Sequence, residues 1–351
     1  KNLIFNLYNG MISSRLDELT KSADPPFLFA QSDKGSWVQS KQMYSLSAYV
    51  KTNGIPTGME SLLTETKRVQ KHGFTQSELD RQKTKYLRNL EKKYNERDKT
   101  ESEAYKWKYK NHYLEGHAIP SIKYFYESVQ ELLPGIGLGD VNQLSTELIS
   151  DKNRVITASS PENEDVIIPT KKNLEDIFNK VLSSDIQPYI DSVSDEPLVS
   201  SLRPPGAVIS EKIIEEIGIT EWTLSNGVKV VLKPTDFKND EIIFYASSPG
   251  GNSLVEDVDF MAAQTATLII TEGGIGNFTK IELDKLLSDK IVSVTPWLDG
   301  LSEGFKGNVS PQDKETMFQL IYQYFNAPRS DSTAFLAYKA RMEGWIENRS
   351  A

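Results

Sequence analysis

The stretch Trp222-Thr-Leu-Ser-Asn-Gly-Val-Lys-Val-Val-Leu232 is the clearest structural signal in this chain of 351 residues. Its Asn-Gly pair at positions 226–227 suits a two-residue turn, because both residue types tolerate a positive φ. Apolar residues flank the pair, so we predict strands over Trp222–Leu224 and Val228–Leu232. The stretch therefore predicts a β-hairpin, and we place the start of a new domain at Glu221, just before it.

Downstream of the hairpin, strands and helices follow one another in groups. A third strand is predicted at Glu241–Ser247, followed by a helix over 257–272 that Gly273-Gly274 ends. A capping box, Thr279-Lys-Ile-Glu282, opens a short helix, because each of its two side chains can bond the backbone of the other. The pattern continues with strands near Ile291–Thr295 and Gly304–Val309, a helix beginning at Ser310-Pro311, and a last helix over 332–347.

Upstream of the hairpin the chain is mostly helical. Two short strands are predicted, at Phe27–Gln31 and Ser45–Val50, and a further strand at Arg154–Ser159. A second capping box, Thr75-Gln-Ser-Glu78, starts a helix whose remaining surface is rich in Lys, Arg and Glu.

These patterns predict an α+β protein with two domains of the α/β-sandwich type. In each domain a mostly antiparallel sheet carries helices on one face. The predicted domains are residues 1–162 and 221–351. Residues 163–220 are rich in Pro, Ser and acidic side chains and are predicted to be an extended connector between them.

Composition excludes several functional classes. Forty Lys and Arg against 49 Asp and Glu give a net charge of −9, which argues against a nucleic-acid surface. With no cysteine, the chain has no disulfide framework, thiolate zinc site or cysteine nucleophile. It has no apolar run of the roughly 18 residues that a transmembrane span needs, so we expect a soluble protein. The absence of cysteine suits an oxidising compartment such as a periplasm.

The three histidines do not form a recognisable metal motif. In His112-Tyr-Leu-Glu-Gly-His117 the second histidine lies five positions after the first, whereas a zinc helix of the inverted type needs a spacing of four. Two imidazoles about 140° apart on a helix cannot bind the same tetrahedral ion. His72 precedes Gly73 and is expected in the last turn of a helix. We assign no catalytic, cofactor-binding or metal-binding residue in this chain.

Other candidate binding motifs have simpler structural explanations. The glycines of Pro134-Gly-Ile-Gly-Leu-Gly139 and of Glu272-Gly-Gly-Ile-Gly276 follow helices, whereas a phosphate loop follows a strand. The lysines between Lys83 and Lys110 are interleaved with acidic residues, which is typical of a solvated helix surface. No serine lies in the Gly-x-Ser-x-Gly pattern of a nucleophile elbow.

The order of the motifs resembles the insulinase/pitrilysin family of zinc metallopeptidases, specifically its large bacterial members with two fused halves. Five groups of residues, spread over nearly the whole chain, carry the resemblance: Leu7-Tyr-Asn-Gly-Met-Ile-Ser-Ser-Arg-Leu16, Gly73-Phe-Thr-Gln-Ser-Glu-Leu79, Leu133–Asn142 with Asn153–Pro161, Leu224–Leu232, and Ala327-Pro-Arg329 with Ala334-Phe335. The family binds zinc with His-x-x-Glu-His on a helix and a later Glu. The corresponding helix here, Asp257–Glu272, contains no histidine, so no ligand is transferred.

The resemblance implies a function for each part of the chain. Residues 1–162 are similar to the second, non-zinc domain of the N-terminal half, and 163–220 to the connector between halves. Residues 221–351 are similar to the first domain of a C-terminal half that lacks the zinc motif. We therefore expect an internal, non-catalytic portion of a zinc endopeptidase that supplies chamber wall and binds peptide or small-protein substrates. Zinc and the zinc-bearing domain, a partner within the same chain, are expected before Lys1.

Two alternatives remain open. The parent protein is a zinc-free scaffold or partner subunit of the same fold, or the chain is a generic peptide-binding module. A His-x-x-Glu-His motif upstream would favour the peptidase, and its absence would favour the scaffold.

Overall fold

A computed structural model describes residues 1–38, 41–149, 153–161, 165–194, 196–201 and 203–350. Its first unit consists of helices around one small antiparallel sheet. The predicted boundary at 162/163 lies outside the described residues. The elements of this unit are α1 (Asn2–Leu19), β1 (Phe29–Val38), β2 (Lys41–Tyr49), α2 (Ile55–His72), α3 (Gln76–Asn95), α4 (Ser102–Glu115), α5 (Ile122–Leu132) and α6 (Leu138–Leu148).

The two strands of the first unit pair antiparallel, from Phe29 opposite Tyr49 to Val38 opposite Lys41. They overlap the predicted strands, and the pairing extends beyond those to Val38 and Lys41. The strand predicted at Arg154–Ser159 is wrong, because this stretch is irregular and its residues are exposed. Alternating apolar residues stabilise a strand only against a neighbouring strand, and no described strand pairs with this segment.

Helix α1 forms the centre of the first core. Leu7, Tyr8, Ile12 and Leu16 are fully buried at helical spacing, so one face of the helix is covered by α3, α6 and β1. The capping box predicted at the start of α3 is confirmed, because Thr75 and Glu78 bond each other's backbone N–H groups.

Between the units lie a helix and an extended segment. α7 (Lys171–Ser183) is capped by Thr170 and packs on α2. The chain beyond it runs without regular structure through residues 185–194, 196–201 and 203–207. Ile186, near its start, is buried, and Leu198 belongs to the core of the second unit. This segment is therefore held by both units.

The second unit contains two three-stranded antiparallel sheets, with strand orders β3-β4-β5 and β6-β8-β7, and four helices. The Asn-Gly hairpin is confirmed as the β4–β5 pair. β3 lies within 163–220, the range predicted as connector. The elements are β3 (Val208–Ile214), β4 (Ile219–Leu224), β5 (Lys229–Leu232), β6 (Ile242–Pro249), α8 (Phe260–Gly273), α9 (Lys280–Leu286), β7 (Val292–Leu298), β8 (Ser302–Val309), α10 (Lys314–Asn326) and α11 (Ser332–Ser350).

The second core lies between the β6-β8-β7 sheet and the helices behind it. Val294, Phe305 and Val309 project from the sheet onto Met317 and Leu320 of α10. The α+β class with antiparallel sheets is confirmed. Among the described residues no helix is long and apolar enough to cross a membrane.

Gly274, which follows α8, is expected to be intolerant of substitution. Its φ of 84° and ψ of −158° lie in a region that only glycine adopts readily, and a Cβ there would collide with the carbonyl oxygen of Phe278. We expect Gly274→Ala to lower the free energy of unfolding by about 3 kcal/mol, measured by urea denaturation. The matched control is Gly227→Ala in the hairpin turn, where φ is 85° but no atom lies within 4 Å of the added Cβ. The control should cost about 1 kcal/mol, and equal losses would contradict the steric argument.

Candidate functional site

The extended segment between the units carries a tyrosine and an aspartate into the contact between them. Tyr189 Oη donates to the Glu18 carboxylate, 2.8 Å from each oxygen, and accepts from Lys285 Nζ at 3.0 Å. Lys285 also lies 3.1 Å from both Glu18 and Asp191. Glu18 belongs to α1 and Lys285 to α9, so these four side chains, the junction cluster, connect the two units through the segment.

Asp191 stays ionised in this cluster although its carboxylate is almost fully buried. Burial alone would raise the pKa of Asp191, but hydrogen bonds from Ser77, Arg81 and Lys285 outweigh it and hold the pKa below the ordinary value. The pKa of Tyr189, by contrast, is raised by burial and by the Glu18 charge, so the phenol stays protonated. In the junction cluster Tyr189 therefore remains a neutral hydrogen-bond donor, and Asp191 remains a buried, negatively charged acceptor.

The junction cluster continues into a buried ion network of the first unit. The Arg15 guanidinium lies 4.1 Å from the Tyr189 ring centroid and 4.9 Å from that of Phe74. Arg15 also bonds two buried carboxylates, Glu78 at 2.7 Å and Glu65 at 3.1 Å. Burial would lower the pKa of Arg15, but these two carboxylates raise it. The Arg15 guanidinium, which two buried carboxylates hold in place, therefore fixes the position of the Tyr189 ring.

A second contact line joins the end of α3 to the second unit. Arg88 bonds Asp313 at 2.8 Å, and Asp313 also accepts from the backbone N–H of Ile291 at 2.8 Å. Farther along α3, Asn95 donates to Asp240 at 2.8 Å. All of these contacts are polar, so the two apolar cores remain separate.

A cleft of about 670 Å³ lies between the units beside the junction cluster. Its walls carry both signs of charge, for example Lys85 and Lys290 together with Asp17 and Asp284. Mixed charge of this kind selects no particular ligand class, and we assign none to the cleft.

The rings of His72 and His112 bond backbone carbonyl groups, and His117 Nε2 lies 3.3 Å from the Glu115 carboxylate. His72, in the last turn of α2 as predicted, lies with Nε2 2.7 Å from the carbonyl oxygen of Ile186. His112 lies with Nδ1 2.6 Å from the carbonyl oxygen of His117, and Gly116 ends α4 between them in a left-handed conformation. These bonds give each ring a structural role.

The described residues provide no site that fits a zinc ion. The predicted 257–272 helix is a short 3₁₀ turn, Asp257–Asp259, followed by α8, and neither contains histidine. Among the described residues no three His, Cys, Asp or Glu side chains lie close enough together to hold a metal ion. Zinc needs at least three such ligands, so we derive no catalytic step through a metal in this chain.

One face of the β6-β8-β7 sheet is largely exposed in the described part of the chain, although Ser293, Thr295 and Asn308 on this face also line the cleft between the units. Ile243, Tyr245 and Lys306 project from this face and are exposed, Trp297 lies beside Tyr245, and the other residues of the face are small or polar. Neither this face nor the junction cluster was expected from the sequence. Each had a signal in the sequence: Phe244 and Tyr245 are consecutive aromatic residues of a strand and so lie on opposite faces, and Tyr189 is the one aromatic residue between positions 184 and 207.

No protein-family model matches the chain. A zinc protease PQQL-like protein of Arabidopsis thaliana is 29% identical over 280 residues, which are 78% of this chain and 28% of that protein. A probable zinc protease PqqL of Haemophilus influenzae is 22% identical over 261 residues, or 72% of this chain and 27% of that protein. The chain therefore spans little more than a quarter of the length of either relative.

A solved structure shows the same fold. A mutant of the ferredoxin protease FusC, in complex with Arabidopsis ferredoxin, superposes with a TM-score of 0.55 at 14% identity, and the match covers 99% of this chain and 39% of the FusC chain. The sequence of this chain is therefore similar to those of two proteins described as zinc proteases, and its fold is similar to that of FusC.

Proposed function

We propose that this chain is a non-catalytic portion of a zinc endopeptidase of the pitrilysin type, where it forms chamber wall and binds peptide substrate. The observation that carries the proposal is a helix without histidine, α8, in a chain similar to zinc proteases over 280 residues. Zinc and the residues that activate water then belong to another part of the same protein. Residues 1–162, 163–220 and 221–351 are the proposed second domain of one half, the connector and the first domain of the other half.

The largely exposed sheet face supports the peptide-binding part of the proposal. A sheet face with exposed side chains offers an extended peptide a surface to lie on. The substrate class is peptides or small proteins, and the ferredoxin in the FusC complex illustrates such a substrate for a protein of this fold. The periplasm remains the proposed compartment, since a cysteine-free chain suits an oxidising space.

The 351-residue chain should therefore not hydrolyse peptides. We expect no turnover of an internally quenched fluorogenic peptide when the purified chain is supplied with equimolar zinc, because the described residues offer no three-ligand site. The control is a double variant, His112→Ala with His117→Ala, which should behave identically. Zinc-dependent cleavage by the chain, lost in the double variant, would contradict the proposal.

Metal analysis of the whole protein separates the peptidase from the zinc-free scaffold. One zinc ion per chain after dialysis is expected for the peptidase. A protein that copurifies with no metal and does not bind added zinc would favour the scaffold.

A further inference from the structure

The β6-β8-β7 sheet presents its two faces to different surroundings. Successive strand residues point to opposite faces, so the residues that alternate with the core-facing Phe244, Val294 and Phe305 share the largely exposed face. We call this surface the open face. It is formed by Ile243, Tyr245, Ser247, Ser293, Thr295, Trp297, Gly304, Lys306 and Asn308.

Two aromatic rings form a platform on the open face. Tyr245 is on β6 and Trp297 on β7, the two strands that flank β8, and their rings meet across it with centroids 5.3 Å apart and planes 15° from parallel. Gly304 of β8 is the residue opposite Trp297, so no side chain of β8 competes for the space there. Tyr245 is 65% exposed, which leaves its ring available to a further aromatic group.

A single charge stands beside the platform. Lys306 is opposite Tyr245 in the β6–β8 register and is the one charged residue of the open face as defined above. No carboxylate lies within ion-pair distance of it among the described residues. An unpaired ammonium beside two rings selects a ligand that combines an aromatic group with a negative charge.

The edge of the sheet suggests the form of that ligand. β6 has a strand neighbour on one side only, β8, in the described part of the chain. An extended peptide that pairs with the free edge places alternate residues over the open face, about 7 Å apart. With that spacing, one side chain of the peptide can lie on the two rings while the side chain two residues away reaches Lys306.

We propose that the open face is a subsite for an extended peptide that carries an aromatic side chain two residues from a carboxylate. The aromatic side chain stacks on Tyr245 and Trp297, and the carboxylate pairs with Lys306. This subsite deepens the proposed function, on which it rests, by naming the substrate chemistry.

The test is direct binding, without proteolysis. The probe is the capped peptide Gly-Ser-Phe-Ser-Glu-Ser-Gly, carrying fluorescein on a flexible linker, and its affinity is measured by anisotropy with unlabelled peptide as competitor. We expect Tyr245→Ala to raise Kd about fivefold, since an aromatic pair is worth about a factor of 2 to 12. Lys306→Gln should raise Kd about threefold at low salt and less at high salt. Ile213→Ala is the matched control, because Ile213 is an exposed apolar residue on β3 of the other sheet, outside the open face.

A peptide with Gln in place of Glu checks that the charge acts through Lys306. Its affinity should be the same for the original chain and for Lys306→Gln, because the pair is already broken. If Tyr245→Ala and Ile213→Ala both bind the probe as the original chain does, the subsite is wrong while peptide binding elsewhere stands. If the original chain binds no peptide, both the subsite and the peptide-binding part of the proposed function fail. A dimer in sedimentation velocity that Tyr245→Ala dissociates would assign the open face to a second copy of the chain and overturn the proposal.

Discussion

Replacing Arg15 by methionine is expected to lower the free energy of unfolding by about 3–5 kcal/mol. The Arg15 side chain is 2% exposed and is the shared cation of two buried carboxylates, Glu65 and Glu78. Methionine retains most of the length and removes the charge, so both carboxylates lose their partner at Arg15 in a site that water hardly reaches. Urea denaturation followed by circular dichroism in the far ultraviolet measures the loss.

The matched control uses the same substitution on the other partner of Glu65. Arg68 also bonds Glu65 but is 24% exposed. Water can therefore replace part of the stabilisation that Arg68 gives the Glu65 carboxylate. Arg68→Met should therefore cost clearly less than Arg15→Met. A loss for Arg15→Met no larger than that for Arg68→Met would show that the buried network is not needed for stability.

A triple variant separates charge from shape. Arg15→Met combined with Glu65→Gln and Glu78→Gln removes the buried negative charges together with the positive one. We expect it to be more stable than Arg15→Met alone, because an uncompensated buried charge costs more than a neutral amide. If the triple variant is as unstable as Arg15→Met, the loss of stability comes from lost packing of Arg15 against Phe74 and Tyr189 and not from the unpaired charges.

Local chemistry made most of the secondary structure predictable. The Asn-Gly turn and the two capping boxes depend on residues within four positions of one another, and all three are found. The strand predicted at Arg154–Ser159 failed for a non-local reason. A strand needs a partner, and the sequence of a strand does not reveal whether another strand is available to pair with it.

The junction cluster could not be predicted because its members are far apart in sequence. Glu18 and Lys285 are separated by most of the chain, and Tyr189 meets them only after the segment beyond α7 has passed between the units. Pairing of Lys with Asp or Glu is common at surfaces, so composition alone identifies no particular pair. The open face has the same difficulty, since α8 and α9 separate the strands that carry Tyr245 and Trp297. The missing zinc motif, by contrast, could be read directly, because it requires specific residues on one helix.

Asp191→Asn is the second large effect that we expect, and it should depend on pH. At pH 7 the Asp191 carboxylate accepts from Ser77 and Arg81 and lies 3.1 Å from Lys285. Asparagine keeps the shape but loses the charge, so three donors lose a charge-assisted bond at the contact between the units. We expect a loss of about 2 kcal/mol in the free energy of unfolding at pH 7.

The direction of the pH dependence follows from the lowered pKa. The folded-state pKa of Asp191 is below the unfolded value of about 3.8, so the unfolded chain takes up the proton first as pH falls. The stabilisation is therefore fully present above the unfolded-state pKa and is lost as pH falls through the lower, folded-state pKa. Asp284, whose pKa the Lys21 and Lys280 charges lower against the effect of burial, contributes in the same direction.

Urea denaturation of Asp191→Asn and of the original chain at pH 7, 5 and 3 tests this expectation. The difference between the two proteins should be the same at pH 7 and 5 and smaller at pH 3. Asp185→Asn is the matched control, because Asp185 lies in the same segment and its pKa is also lowered by a lysine, Lys71, but its side chain is 80% exposed. No measurable change is expected for Asp185→Asn, since solvent screens an exposed ion pair. A difference for Asp191→Asn that is unchanged at pH 3 would show that the Asp191 charge does not hold the two units together.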